Sequence, residues 1–195
     1  MNKREVVESI VKFYDRVHEF ITFWSVGGGA SQVLLGIDET TDNIEINTSA
    51  KIAYAIGEIL EPFTVKPVIF TSKGNICGHF GVFKIKSSQF EIIGNLRIKG
   101  ELGTYIEDFN ERFLKNCTKM EIKGRSIYIT PLEEIFLINI ILKKWGKAKK
   151  IVNFWKNHTE LFNKEYLEER AKETFKSKFK VLAKRKIFRD IFLLK

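Results

Sequence analysis

The chain has 195 residues, of which 44% are apolar and 13% aromatic, with 17 Phe; this supplies a packed core, excludes a disordered segment, and limits the chain to one domain or one domain with a small appendage. Its formal net charge of +9 is unevenly spread: Lys143 to Lys195 carries 17 Lys and Arg against 6 Asp and Glu, and the remainder carries 16 against 18. No run approaches the ~18 apolar residues of a membrane helix, and Glu5, Glu8 and Asp15 stand where a signal peptide needs an apolar stretch, so a cytoplasmic protein is expected.

Taken in order, Val6, Ile10, Phe13, Val17 and Phe20 or Ile21 recur at helical spacing, which predicts a helix over Arg4 to Ile21. Phe23, Trp24 and Val26 are strand-prone. Gly27, Gly28 and Gly29 then form a turn, Ala30 to Leu35 a short helix, and Gly36 its C-cap. In Asn43-Ile44-Glu45-Ile46 polar and apolar residues alternate, so Asn43 and Glu45 face one side and Ile44 and Ile46 the core.

Ser49 is placed to cap a helix over Lys51 to Leu60. Phe63 to Thr71, with prolines nearby, reads as an edge strand. Asn75 to Lys86 and Gln89 to Ile98 read as strands around Ser87-Ser88, and Tyr105 to Leu114 as a helix. Lys119 to Ile122 and Ser126 to Ile129 flank Lys123-Gly124-Arg125 as a hairpin. In Thr130-Pro131-Leu132-Glu133, Thr can cap, Pro suits the first helical position and Glu can bond back to the cap, predicting a helix that Gly146 stops after Trp145. The last forty residues read as one or two amphipathic helices marked by Leu161, Phe162, Tyr166, Phe175, Phe179, Leu182, Phe188 and Ile191. A division into residues 1–146 and a basic helical extension, 147–195, follows. Cys77 and Cys117, and the scattered His18, His79 and His158, have no metal-ligand spacing. Only two Gln amid abundant Lys, Ile and Glu lean toward a thermophilic source.

The turn Gly27-Gly28-Gly29-Ala30, the helix end Leu35-Gly36, Thr41 and the alternating strand at Asn43 and Glu45 resemble the nucleotidyltransferase fold of the DNA polymerase beta-like superfamily, and within it the minimal and abortive-infection-type members. The resemblance spans about residues 20–155. It implies an α+β fold with a mixed, helix-flanked sheet and a C-terminal helical extension. It also implies transfer of a nucleoside monophosphate from an NTP to a hydroxyl acceptor, aided by Mg²⁺ or Mn²⁺. Members often act on tRNA or protein side chains, some as toxin–antitoxin components.

Such a reaction crowds negative charge around phosphorus and calls for cations rather than a protein nucleophile. Two acids at alternate strand positions, with a third from a neighbouring strand, meet that need. The resemblance puts the metal positions at Asn43, Glu45 and Glu91, with Glu45 and Glu91 the catalytic carboxylates. It puts nucleotide contacts at Gly27, Gly28 and Gly29, whose backbone NH groups can cradle phosphates, and at Ser31. The chain departs from the family pattern where Asn43 replaces an acid, Glu39 replaces an Arg, and Lys149-Lys150-Ile151 lacks an acid. These departures keep a second reading open, a catalytically inactive module that binds nucleotide, RNA or a protein. The basic extension reads either as solvated helix faces or as a footprint for RNA, tRNA included, or an acidic protein partner.

Overall fold

The computed structural model describes residues 1–183 and 185–192; Lys184 and residues 193–195 of the expected basic extension lie outside the described residues. In chain order the elements are α1 (Lys3–Val17), β1 (Ser25–Gly27), α2 (Gly28–Leu35), β2 (Ile44–Thr48), α3 (Ala50–Ile59), β3 (Thr64–Lys73), β4 (Ile76–Ile85), β5 (Ser88–Gly100), β6 (Gly103–Ile106), α4 (Glu111–Lys115), β7 (Thr118–Ile122), β8 (Arg125–Ile129), α5 (Leu132–Ile141), α6 (Trp145–Asn157), α7 (Lys164–Phe175), α8 (Phe179–Leu182) and α9 (Lys186–Phe192). The fold is α+β, as expected. Among the described residues no helix is long and apolar enough to cross a membrane.

The chain divides into two compact units, Met1–Leu96 with Glu107–Thr130, and Arg97–Ile106 with Pro131–Lys195. The first holds a mixed sheet in the order β3-β4-β5-β2-β1-β8-β7. Strand β2 runs antiparallel to β1 and parallel to β5, and β1 is parallel to β8. The hairpins β3–β4 and β7–β8 form the two ends. As expected, the proline-bearing segment is an edge strand.

Alternation along the strands sorts the sheet's two faces. Ile44 and Ile46 of β2, Val26 of β1 and Phe90 and Ile92 of β5 are buried in the core. Phe13 of α1 stacks on Phe90 at 5.2 Å and meets Trp24 edge-on at 5.0 Å. The expected N-terminal helix is present, closed at its start by a capping box between Asn2 and Glu5. Ser49 caps α3, as expected. A Cβ on Gly94 would lie 3.0 Å from Ala53 Cβ, so small residues on both sides let α3 sit close against β5.

In the second unit, residues 97–100 of β5 pair with β6. Three expectations are corrected here and at the chain positions flanking it. Tyr105 to Leu114 is not one helix: Tyr105 lies in β6, and only Glu111–Lys115 is helical. Thr130 does not cap α5; its hydroxyl, within the first unit, hydrogen-bonds Ser25 Oγ at 2.7 Å, and Pro131 stands at the N-cap without a side-chain bond. Glu133 therefore does not close a capping box; its carboxylate accepts the backbone NH of Asn163 at 2.7 Å.

The third concerns the late helix, which ends at Ile141 rather than Trp145. Lys143 takes φ +57°. The Lys143 NH bonds the Ile140 carbonyl at 3.1 Å and the Lys144 NH bonds that of Asn139 at 2.8 Å. This is a Schellman stop with lysine where glycine is usual. Gly146 instead lies in the first turn of α6. Helix α5 is buried nearly all round, and two carboxylates are inside: Glu134 accepts from Arg170 Nε at 2.6 Å and from the Tyr166 hydroxyl at 2.5 Å. Of the expected apolar marks of the C-terminal region, Tyr166, Phe175, Leu182, Phe188 and Ile191 are buried and Leu161, Phe162 and Phe179 half-buried, and Trp155 packs on Phe136 and Phe162.

Candidate functional site

The site is built on three neighbouring strands of the first unit. Register places Gly27 of β1 opposite Glu45 of β2, and Glu45 beside Glu91 of β5. Adjacent strands lie about 4.8 Å apart, so the two carboxylates leave the same face in one row. That face is the one turned away from Ile44, Ile46, Phe90 and Ile92. Both glutamates are half-buried. Gln89 Nε2 donates to Glu91 Oε1 at 3.2 Å, which steadies the carboxylate from its own strand.

Each residue of the glycine run makes room for one polar side chain. A Cβ on Gly27 would lie 2.8 Å from Asn47 Oδ1. On Gly28 it would lie 2.2 Å from Glu45 Cδ, and on Gly29 2.5 Å from Thr41 Oγ1. Gly28 also has φ +53°, in the left-handed region that a side chain disfavours. The run therefore lets β2 and the preceding loop lay Glu45, Asn47 and Thr41 directly against the backbone that starts α2.

Thr41 Oγ1 donates to the Asn43 carbonyl at 3.0 Å and so fixes the bend that carries Asn43, which stands half-buried one residue before β2. The amino group of Met1 hydrogen-bonds the Thr41 carbonyl. Glu39 is exposed. Ser31, proposed from the sequence for nucleotide contact, is buried, and its hydroxyl donates to the Gly28 carbonyl at 2.8 Å. Gln32 Nε2 donates to the same oxygen at 3.2 Å. Both side chains brace the turn from within.

A buried polar pair that the sequence reading missed backs the row. Asn47 Nδ2 donates to Glu107 Oε1 at 2.8 Å, and the two residues are 3% and 2% exposed. Asn47 continues the Asn43, Glu45 alternation by one step, and that step was the available signal. Glu107 was hidden by the helix expected over Tyr105 to Leu114.

Among the described residues no group of three or more His, Cys, Asp or Glu side chains converges as a metal cage. Glu45 and Glu91 do fit a cation of the Mg²⁺ type, which takes one or two protein carboxylates and completes its shell with phosphate oxygens and water.

No protein-family model matches the chain. No curated protein matches it either. A solved structure from Thermotoga maritima, reported as a candidate nucleotidyltransferase, is 31% identical over 81% of this chain and 96% of its own, with a TM-score of 0.62. This chain belongs to the nucleotidyltransferase family. Two further solved structures are similar to this chain at lower identity. ANT(2'')-Ia, in complex with adenylyl-2''-tobramycin, is 14% identical over 84% of this chain and 93% of its own, with a TM-score of 0.49. An antigenic nucleotidyltransferase-like protein from Paracoccidioides brasiliensis is 10% identical over 89% of each chain, with a TM-score of 0.46. These two carry no argument about function.

Proposed function

We propose that this nucleotidyltransferase moves a nucleoside monophosphate from an NTP to a hydroxyl acceptor. The acceptor oxygen bonds the α-phosphorus, the bond to the bridging oxygen breaks, and pyrophosphate leaves with the electron pair. The hydroxyl proton passes to Glu91 or to water. Glu45 and Glu91 would hold Mg²⁺ or Mn²⁺, with Asn43 contributing an uncharged amide oxygen. When bound, the metal supplies the positive charge that phosphoryl transfer needs. The NH groups of Gly27–Gly29 at the start of α2 receive the phosphates. The observation that carries this reading is the row Gly27–Glu45–Glu91, with the Glu45 carboxylate seated on Gly28.

The experiment is label transfer. Protein is incubated with each α-phosphate-labelled NTP, Mg²⁺ or Mn²⁺, and total RNA and protein from the source. Incorporation that Glu45→Ala abolishes is the expected result and identifies the acceptor class. No incorporation from folded wild-type protein under any condition sinks the transfer reading.

Asn43, which stands where the resemblance expects an acid, favours one alternative, a catalytically silent module that binds nucleotide, RNA or a protein. On either reading Asn43→Asp adds a carboxylate to the row and tightens divalent-cation binding. Only a live enzyme transfers label before that change. The exposed lysines of α6, among them Lys147, Lys149 and Lys156, support RNA or an acidic protein as partner. Affinity for RNA through that surface falls steeply with added salt. Binding that ignores salt would rule the basic surface out.

A further inference from the structure

The first unit has a second concavity that shares no residue with the row of Gly27, Glu45 and Glu91. It holds about 210 Å³ and is lined by Tyr14, His18, Ile21, Thr22, Trp24, Lys119, Ser126 and Tyr128. Its lining residues carry three aromatic rings and an imidazole, with one ammonium, four hydroxyls (two of them phenolic) and no carboxylate. The Tyr14 and His18 rings are stacked on each other at 4.3 Å and 20°, so they enter the wall as one rigid aromatic block, and Trp24 stands against Tyr14 at 67°. The Trp24 indole NH is committed to the Ile21 carbonyl at 3.2 Å, so the ring is held in place.

The opposite wall is the β7–β8 hairpin. Register sets Lys119 directly across from Tyr128, and Ser126 shares the Tyr128 face two residues back. Ser126 Oγ is out of contact with solvent and has no hydrogen-bond partner among the described residues. A buried hydroxyl in that state is an open valence for a ligand's polar edge. The carboxylate next to this aromatic block, Asp15, is engaged by Arg125 through both oxygens, at 2.6 and 2.8 Å, and the guanidinium lies 6.0 Å from the Tyr14 ring centre. The local field is therefore not set by a free acid.

This combination selects a flat aromatic ring bearing an anionic group. The ring packs against the outside of the Tyr14–His18 block, because every base has a π-face. Lys119 receives the anion at the mouth, and Ser126 meets an in-plane donor or acceptor. The volume falls below the ~300–1,000 Å³ of sites that take drug-sized ligands, so it admits one ring system rather than a whole NTP. We propose that this pocket is a second ligand site, for a nucleoside monophosphate, distinct from the glycine turn and needing no metal.

The test is calorimetric titration of AMP, GMP, CMP and UMP into the full chain with EDTA present, which keeps divalent cations from the Glu45–Glu91 row. At least one should bind with Kd below about 1 mM. Lys119→Ala should weaken it about tenfold, the loss expected for one charge-assisted hydrogen bond, and Lys119→Arg should retain it. Glu45→Ala should leave it unchanged, which separates this site from the proposed transfer centre. The indole NH resonance of Trp24, assigned with Trp24→Phe, should shift on titration. No binding by any of the four, or binding lost in Glu45→Ala and untouched in Lys119→Ala, would overturn the proposal.

Discussion

At the scale of single residues, adjacent glycines are required for different reasons, and two substitutions separate them. A methyl on Gly28 meets the end of the Glu45 side chain, which is long and half-exposed and can swing aside. The steric cost is then small. The positive φ costs about 1 kcal/mol, and the proposed function suffers because Glu45 has left its place. A methyl on Gly27 instead meets the Asn47 amide, which is 3% exposed and bonded to Glu107. That amide cannot move without breaking a buried hydrogen bond, so the stability loss is larger, about 1–3 kcal/mol. Urea denaturation of Gly27→Ala and Gly28→Ala, read beside label transfer, should show Gly27→Ala as the less stable protein. Gly28→Ala should lose only the backbone cost of about 1 kcal/mol and be poor in transfer. Equal destabilisation would mean that Asn47 does not anchor the turn.

At the scale of elements, legibility followed periodicity. Strand β2 could be read because Ile44 and Ile46 alternate with Glu45 and Asn47, and α1 because its apolar stripe is regular. The register that sets Glu45 beside Glu91 is a long-range property of the sheet, and no local pattern carries it. Tyr105 to Leu114 misled because Tyr105, Phe109 and Phe113 recur every four residues and mimic a stripe. The structure buries Tyr105 from a strand and Phe113 from a short helix. The end of α5 was misplaced because glycine is the usual signal and here a lysine takes the left-handed position. The glycine run of the candidate site was legible as a break between strand and helix, whereas Glu107 came from the misread segment.

Lys143→Gly tests that account of α5. Left-handed backbone costs a lysine about 1–2 kcal/mol relative to glycine. The substitution also removes the 2.6 Å pair between Lys143 and Glu101, whose side chains are 50% and 78% exposed. Exposed pairs of this kind contribute little. The expected net effect is stabilisation, somewhat smaller than the backbone term alone, seen as a higher urea midpoint with unchanged slope. A lower midpoint would show that the ion pair outweighs the backbone term.

At the scale of the whole molecule, stability should depend on pH through a buried carboxylate outside the Gly27–Glu45–Glu91 row. Glu133 is 3% exposed on α5. Burial, reinforced by the charge of neighbouring Glu134, raises its pKa from 4.5 to about 7, against the opposing hydrogen bond from the Asn163 NH. The folded state therefore keeps a proton that the unfolded chain releases. Its contribution is fully present below pH 4.5, declines as pH rises, and is gone above about pH 7. The amplitude is about 3 kcal/mol.

Two surface carboxylates shift the other way. Arg4 lowers the pKa of Glu8 and Lys143 lowers that of Glu101, so their contributions fade only as pH falls below the ordinary carboxylate range. They leave the window from 4.5 to 7 to Glu133. Burial disfavours the Arg170 charge, but Glu134, Tyr105 and Glu173 together overcome it and raise its pKa, so it stays charged throughout. Glu133→Gln keeps an oxygen for the Asn163 NH and cannot ionise. Urea midpoints measured from about pH 4 to 9 should fall for wild type across this window and stay flat for the variant, with the variant ahead at the alkaline end. Parallel curves for the two proteins would show that Glu133 is ionised in the fold despite its burial.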